Sequence, residues 1–241
     1  MQNQANRKKL GVAAETVLTG GAAAGLAGVL LSNIAWIPDY LAGSGAFIAG
    51  MNGAFSGYRG VYDWRRLLGW WAWAADTTWG LIGGAGGVLI HFVNLFYPSS
   101  SYMAEMSLRS NRHVYEGGLT FRRGFAIAMG NVVSSGGGTT GLRGDSPQMI
   151  RRRRLIDVHE GTHILQNRLF GPFYPVGYLI WMAGAGLVGL LVALATDRSG
   201  WRSVVETWAY YNNPFEYWAY RRDDYWPPRG AHPRFVWKKK G

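Results

Sequence analysis

The chain of 241 residues contains no cysteine. Disulfides, thiolate zinc sites and iron–sulfur clusters are therefore excluded, and any metal must be held by imidazole and carboxylate groups. Charge is also scarce. Asp, Glu, Lys and Arg make up 16% of the residues, against roughly 25% in an ordinary soluble domain. Acidic residues are the scarcer kind, 14 against 25 Lys and Arg, which leaves a net charge of +11. An excess of that sign suits anionic lipid headgroups or nucleic acid. No nucleic-acid-binding motif accompanies it, so lipid is the expected partner and nucleic acid is not.

What is abundant is glycine and tryptophan, laid out in apolar runs. The first, 10–37, follows Arg7, Lys8 and Lys9 and is long enough to cross a bilayer. It contains Glu15 and many glycines, so an uncleaved membrane helix is expected rather than a signal peptide. A second small-residue run covers 41–57. Gly21 and Gly25, Ala46 and Gly50, and Gly53 and Gly57 each stand four apart, the spacing that lets helix backbones approach in lipid, so the two runs are expected to form a helical hairpin. After the charged segment 59–66, the stretch 67–79 carries Trp70, Trp71, Trp73 and Trp79 and is expected as an interfacial helix. Residues 79–96 offer a further span or a re-entrant segment. His91 near its end is expected to be hydrogen-bonded rather than a ligand. The clearest span is 178–195, uncharged and glycine-containing.

Between these apolar regions the pattern changes. Val114 to Glu116 and Leu119 to Phe121 flank Gly117-Gly118, a hairpin signal. The run 125–133 is expected as the next strand, with a free edge or a buried one, and 134–144 as a glycine-rich loop. A helix follows. Asp145 or Ser146 can cap it, Pro147 fits its first turn, Gln148 forms a capping box with Asp145, and Gly171-Pro172 ends it. Its four arginines, 151–154, are expected to form a solvated or headgroup-facing surface. Farther on, Asn213 is expected to cap a helix beginning at Pro214.

That first helix contains His159-Glu160-Gly161-Thr162-His163. In H-E-x-x-H, one helical turn puts both imidazoles on one face, where they can share a Zn²⁺ while the Glu stands beside its water as general base. A catalytic zinc needs a third protein ligand, and the chain offers Glu216, with Glu206 as the alternative. Tyr210 or Tyr211, lying between them, can supply a phenolic donor to an oxyanion.

The motif with Gln166, followed by Asn213-Pro214-Phe215-Glu216 and Ala219, resembles the zincin superfamily of metallopeptidases, and more closely its gluzincin branch in compact bacterial members. The resemblance covers about residues 145–222. It implies zinc at His159, His163 and a Glu, with Glu160 as general base in peptide hydrolysis. It also implies an edge strand beside the motif helix on which an extended peptide can pair.

The expected fold class is therefore a mainly α membrane protein, with glycine-rich transmembrane helices and a small α+β zincin-like domain. Four regions are expected: 1–97, a membrane region; 98–175, strands and the motif helix; 176–196, a transmembrane helix; and 197–241, a helical segment with the third-ligand candidates and a basic tail. The resulting expectation is a zinc peptidase of a bacterial inner membrane, acting on a peptide or membrane-protein substrate, with its basic regions cytoplasmic. The rival expectation is a non-enzymatic glycine-zipper assembly subunit with a structural or degenerate metal site. A lipid hydrolase using the same metal chemistry is a third class.

Overall fold

The computed structural model describes residues 2–122, 124–136, 142–196 and 200–238, and of residues 2–8 the helical backbone alone. Mainly helical, the protein opens with two long antiparallel helices, α1 (Gln2–Ser32) and α2 (Asp39–Tyr58), packed closely along their length. Their approach is set by glycine. A Cβ on Gly57 would stand 2.5 Å from the Glu15 carbonyl oxygen, and one on Gly53 would stand 2.7 Å from that of Thr19. Gly21 and Gly25, by contrast, have nothing within 4 Å of an added Cβ and face away from the hairpin. That expected pair thus takes no part in it.

Among the described residues, two helices are long and apolar enough to cross a bilayer, α1 over Lys9–Ser32 and the later helix over Phe173–Thr196. The second arm of the hairpin is not among them. It carries Ser44, Asn52 and Ser56, and buries the latter two against the rest of the protein. The tryptophan-rich stretch forms α3 (Leu67–Thr77) and the next run α4 (Leu81–Phe96), bent by 89° at residues 78–80. A single broken span or a re-entrant pair fits this geometry.

A four-stranded sheet lies over α4. Its strands are β1 (Ser101–Tyr102), β2 (His113–Gly118), β3 (Ala126–Met129) and β4 (Val132–Gly136), in the order β1-β2-β4-β3. A short helix, α5 (Ala104–Ser107), joins β1 to β2. The expected hairpin at Gly117-Gly118 does not form. Both glycines belong to the end of β2, where Gly117 at φ 67° accommodates an irregularity, and β2 pairs in parallel with β4. Leu119 to Phe121 form no strand. The expected strand at 125–133 is instead a hairpin, β3 and β4, turning on Gly130-Asn131 with Gly130 at φ 56°. The expected loop at 134–144 begins two residues inside β4, and 137–141 lie outside the described residues.

Alternation along the strands directs side chains to both faces. Val114 and Val133 point toward the motif helix and pack with Met103, Leu142, Ile156 and Ile164. Tyr115, Ile127 and Val132 point to the other side and pack with Ile90 of α4. The sheet is buried on both faces, as a parallel pair requires.

The motif helix runs from α6 (Pro147–Arg154) through a π-helical stretch (Leu155–Glu160) into α7 (Gly161–Phe170). Ser146 caps it by accepting from the Met149 N–H. The expected box between Asp145 and Gln148 is therefore off register by one residue. Its arginines stay partly solvated, Arg154 being exposed, but each is held by specific partners. Arg151 and Arg154 both hold the buried carboxylate of Asp223, while Arg152 donates to Ser135 and to the carbonyls of Gly124 and Phe125.

Gly171, at φ 53°, ends this helix, and α8 (Phe173–Thr196) starts at once. After it come α9 (Trp201–Glu206), a second π-helical stretch (Thr207–Tyr211) and α10 (Pro214–Arg222), which Asn213 caps by accepting from the Phe215 N–H at 3.0 Å. Of the charges expected to flank this part, Asp197, Arg198, Lys239 and Lys240 lie outside the described residues.

Candidate metal centre

His159 is the next-to-last residue of the first π-helical stretch and His163 stands in the first turn of α7. The two Nε2 atoms are 3.3 Å apart. Glu216, in the first turn of α10, completes the group: its Oε2 lies 3.3 Å from His159 Nε2 and its Oε1 lies 3.3 Å from His163 Nε2. All three side chains are buried. Glu216 enters this position because Asn213 and Pro214 fix where α10 begins.

The groups around the cluster determine its protons. Gln166 donates its Nε2 hydrogens to the Phe215 carbonyl at 2.9 Å, so its Oε1 must face His163 Nδ1, which it does at 2.8 Å. An amide oxygen can only accept, so Nδ1 carries the proton and Nε2 offers its lone pair. That lone pair points at a carboxylate and at a second imidazole. Only a cation makes such an arrangement favourable, whether a metal ion or added protons. The two imidazole nitrogens stand 3.3 Å apart, the edge of a tetrahedron with bonds of about 2.0 Å, and each meets a different oxygen of Glu216; two imidazoles and a carboxylate are a donor set that zinc accepts.

The ionisation directions agree. Burial alone would lower His163, but the Glu216 charge and hydrogen bond, with Glu160 and Gln166, push it up to about 9. Burial would raise Glu216, but the charge of His163 and its contacts with both imidazoles hold it well below the usual carboxylate range. Glu160 is moved the other way. Its burial raises it above the ordinary value, with only partial relief from His159 and His163.

Tyr178 donates to Glu216 Oε1 at 2.8 Å, and Tyr174 lies 3.1 Å from His163 Nδ1. Tyr220 packs edge-on against the His159 ring at 4.3 Å and restrains it. None of these three is singled out by the sequence. The available signal was the four-residue spacing of Tyr174 and Tyr178, which puts both on one face of α8 directly after the motif helix.

A cavity of about 550 Å³ opens over the cluster. His159, Glu160, His163, Glu216 and Tyr210 line it, together with β3, α4 and the start of α8. Burial and the Glu216 charge push the Tyr210 phenol well up, so it stays protonated and able to donate. Tyr211 packs instead with Tyr220 and Trp226. Glu206 reaches the cavity wall but pairs with Arg122 at 3.0 Å and is not among the clustered ligand atoms. His91 is buried, with Nδ1 2.8 Å from the Tyr115 hydroxyl.

β3 is at the sheet edge, and its residues line the cavity. Among the described residues, its backbone makes hydrogen bonds only to β4. Comparison with protein families, curated proteins and solved structures gave no match.

Proposed function

We propose that this chain is a membrane-embedded zinc peptidase that hydrolyses peptide bonds close to the bilayer surface. The observation that carries the reading is the convergence of His159, His163 and Glu216, at 3.3 Å spacings, on the floor of a cavity that Glu160 also lines. Zinc bound there supplies Lewis acidity that polarises a carbonyl and acidifies water. Glu160, with its affinity for protons raised by burial, accepts the proton of the attacking water and passes it to the departing amine. Tyr210 donates a hydrogen bond to the oxyanion that forms on the substrate carbonyl. Gln166 and Tyr178 hold His163 and Glu216 in place.

The setting is an inner membrane of a bacterium, with basic segments on the cytoplasmic face. Exposed arginines such as Arg65 and Arg66 meet anionic headgroups there. The outward face of Gly21 and Gly25 is free of the hairpin and favours a small-residue contact with another helix. On its own that face would suit an assembly subunit, which has no use for a proton acceptor beside the cluster.

The test is zinc content and turnover of the purified full-length protein. One zinc per chain is expected, lost in His159→Ala and in Glu216→Ala and kept in Glu206→Gln. Glu160→Gln is expected to keep the metal and abolish peptide hydrolysis. Metal-free wild-type protein, or a Glu160→Gln variant as active as wild type, overturns the reading.

A further inference from the structure

The cavity over the cluster has a mouth whose composition is uneven. A side chain that lines a cavity and is also well exposed stands at its rim. On one side the rim is Ile82 at 55%, Leu179 at 65% and Met182 at 36% exposure. Leu179 and Met182 come from α8, which is long and apolar enough to cross a bilayer, and Ile82 from α4, which with α3 makes a broken span or a re-entrant pair. The rim also carries Phe121 at 82% exposure and the ion pair of Arg122 and Glu206.

The depth of this mouth follows from the helix geometry. Trp79 donates to the Leu169 carbonyl and packs on Phe173, so both helix breaks lie at one level. A tryptophan at that position marks the headgroup boundary. Cavity-lining residues on α8 extend from Tyr174 to Met182, roughly 12 Å along the helix at 1.5 Å per residue, within a hydrocarbon layer of about 30 Å. With Trp79 at that boundary, Ile82, Leu179 and Met182 fall at a depth that lipid reaches, while the Arg122–Glu206 pair calls for water or headgroups.

We infer that the cavity admits its substrate sideways from the bilayer, between α4 and α8, and that this substrate is an apolar membrane-embedded segment of another polypeptide. The inference rests on the peptidase reading and names its substrate class. A polypeptide is favoured over a lipid chain because the same cavity presents the edge of β3, whose backbone donors and acceptors an unwound peptide can pair with and an acyl chain cannot.

The natural lack of cysteine makes each introduced thiol unique. Leu179→Cys, Met182→Cys and, as a lipid-facing control remote from the cavity, Leu187→Cys are introduced into full-length zinc-loaded protein carrying Glu160→Gln. Each is labelled with a benzophenone maleimide in phosphatidylcholine–phosphatidylglycerol vesicles. The probe is a biotinylated single-span Leu–Ala peptide, compared with a water-soluble peptide of equal length. Crosslinking of the span peptide at 179 and 182 is expected to exceed that at 187 at least tenfold. It should fall to the control level at 179 and 182 when Ala128→Trp fills the cavity, and at 182 when Leu179→Trp fills its mouth. Equal yield at 187, persistence in both filled variants, preference for the soluble peptide, or transfer to lipid alone overturns the inference. Zinc measured on the same samples separates the two readings: selective crosslinking without zinc removes the peptidase function, and bound zinc without selective crosslinking removes the lateral route.

Discussion

His163 and Gln166 are joined one helical turn apart, Nδ1 to Oε1 at 2.8 Å, and the far end of the Gln166 amide is anchored to the Phe215 carbonyl. One side chain thereby ties the motif helix to the start of α10 and fixes which imidazole nitrogen is free. Gln166→Leu is expected to keep the fold and weaken zinc binding by about 10- to 100-fold, the usual loss when the partner of a metal-binding imidazole is removed. Competition with a chelator of known affinity measures it.

Tyr210 faces the cavity and stays protonated. Tyr210→Phe is expected to lower kcat by about 10²- to 10³-fold, the loss typical of an oxyanion donor, with zinc content unchanged. Tyr211→Phe serves as the comparison, because that ring packs elsewhere and its loss should leave kcat near wild type.

Arg168 of α7 grips Asp76 of α3 through two hydrogen bonds, 2.9 and 2.8 Å, with both side chains buried. Arg168→Met leaves the buried carboxylate without its counter-charge, with the Tyr62 hydroxyl still donating to it, and is expected to cost about 3–5 kcal/mol, the penalty for breaking a buried pair from one side. Thermal unfolding in detergent, monitored by tryptophan fluorescence, reads the change.

His113 sits fully buried between the Ser56 and Tyr102 hydroxyls, each at 3.0 Å. Burial, then the charges of His91 and Arg59, hold it well below its usual value. The unfolded chain binds this proton near pH 6.5 and the folded chain does not, so the stabilisation is complete above that pH and is lost as pH falls through it, by up to about 1.4 kcal/mol per unit. Tm measured between about pH 7.5 and 5 should decline, and less steeply in His113→Gln.

Gly57 and Gly25 separate packing from pattern. Gly57→Leu drives a side chain into the Glu15–Thr16 backbone and is expected to split the α1–α2 hairpin, whereas Gly25→Leu meets open space and is tolerated by the monomer. Crosslinking between cysteines placed on facing turns of α1 and α2 distinguishes the two.

The helices were legible because their signals are local. Apolar runs, the Ser146-Pro147 and Asn213-Pro214 starts and the Gly171 stop act within a few residues, and each is where the sequence indicates. Sheet pairing is not local. Gly117-Gly118 reads as a turn, yet parallel pairing with β4 absorbs it into a strand. The arginine run reads as a surface, and only the fold shows that Asp223, remote in the chain, pairs with Arg151 and Arg154 of it.

By itself the sequence determined that any metal here rests on imidazole and carboxylate, and that His159 and His163 share a helix face with Glu160 beside them. The sequence put Glu216, on its Asn-Pro-x-Glu turn, ahead of Glu206, and the tertiary structure supplied the geometry of each. Glu206 is drawn off by Arg122, while the α10 start swings Glu216 to both imidazoles. It also brought Tyr174 and Tyr178 to the cluster and set the cavity against α4 and the start of α8. The physical reason is that ligand convergence depends on how distant helices pack, and a linear pattern records only their spacing along the chain.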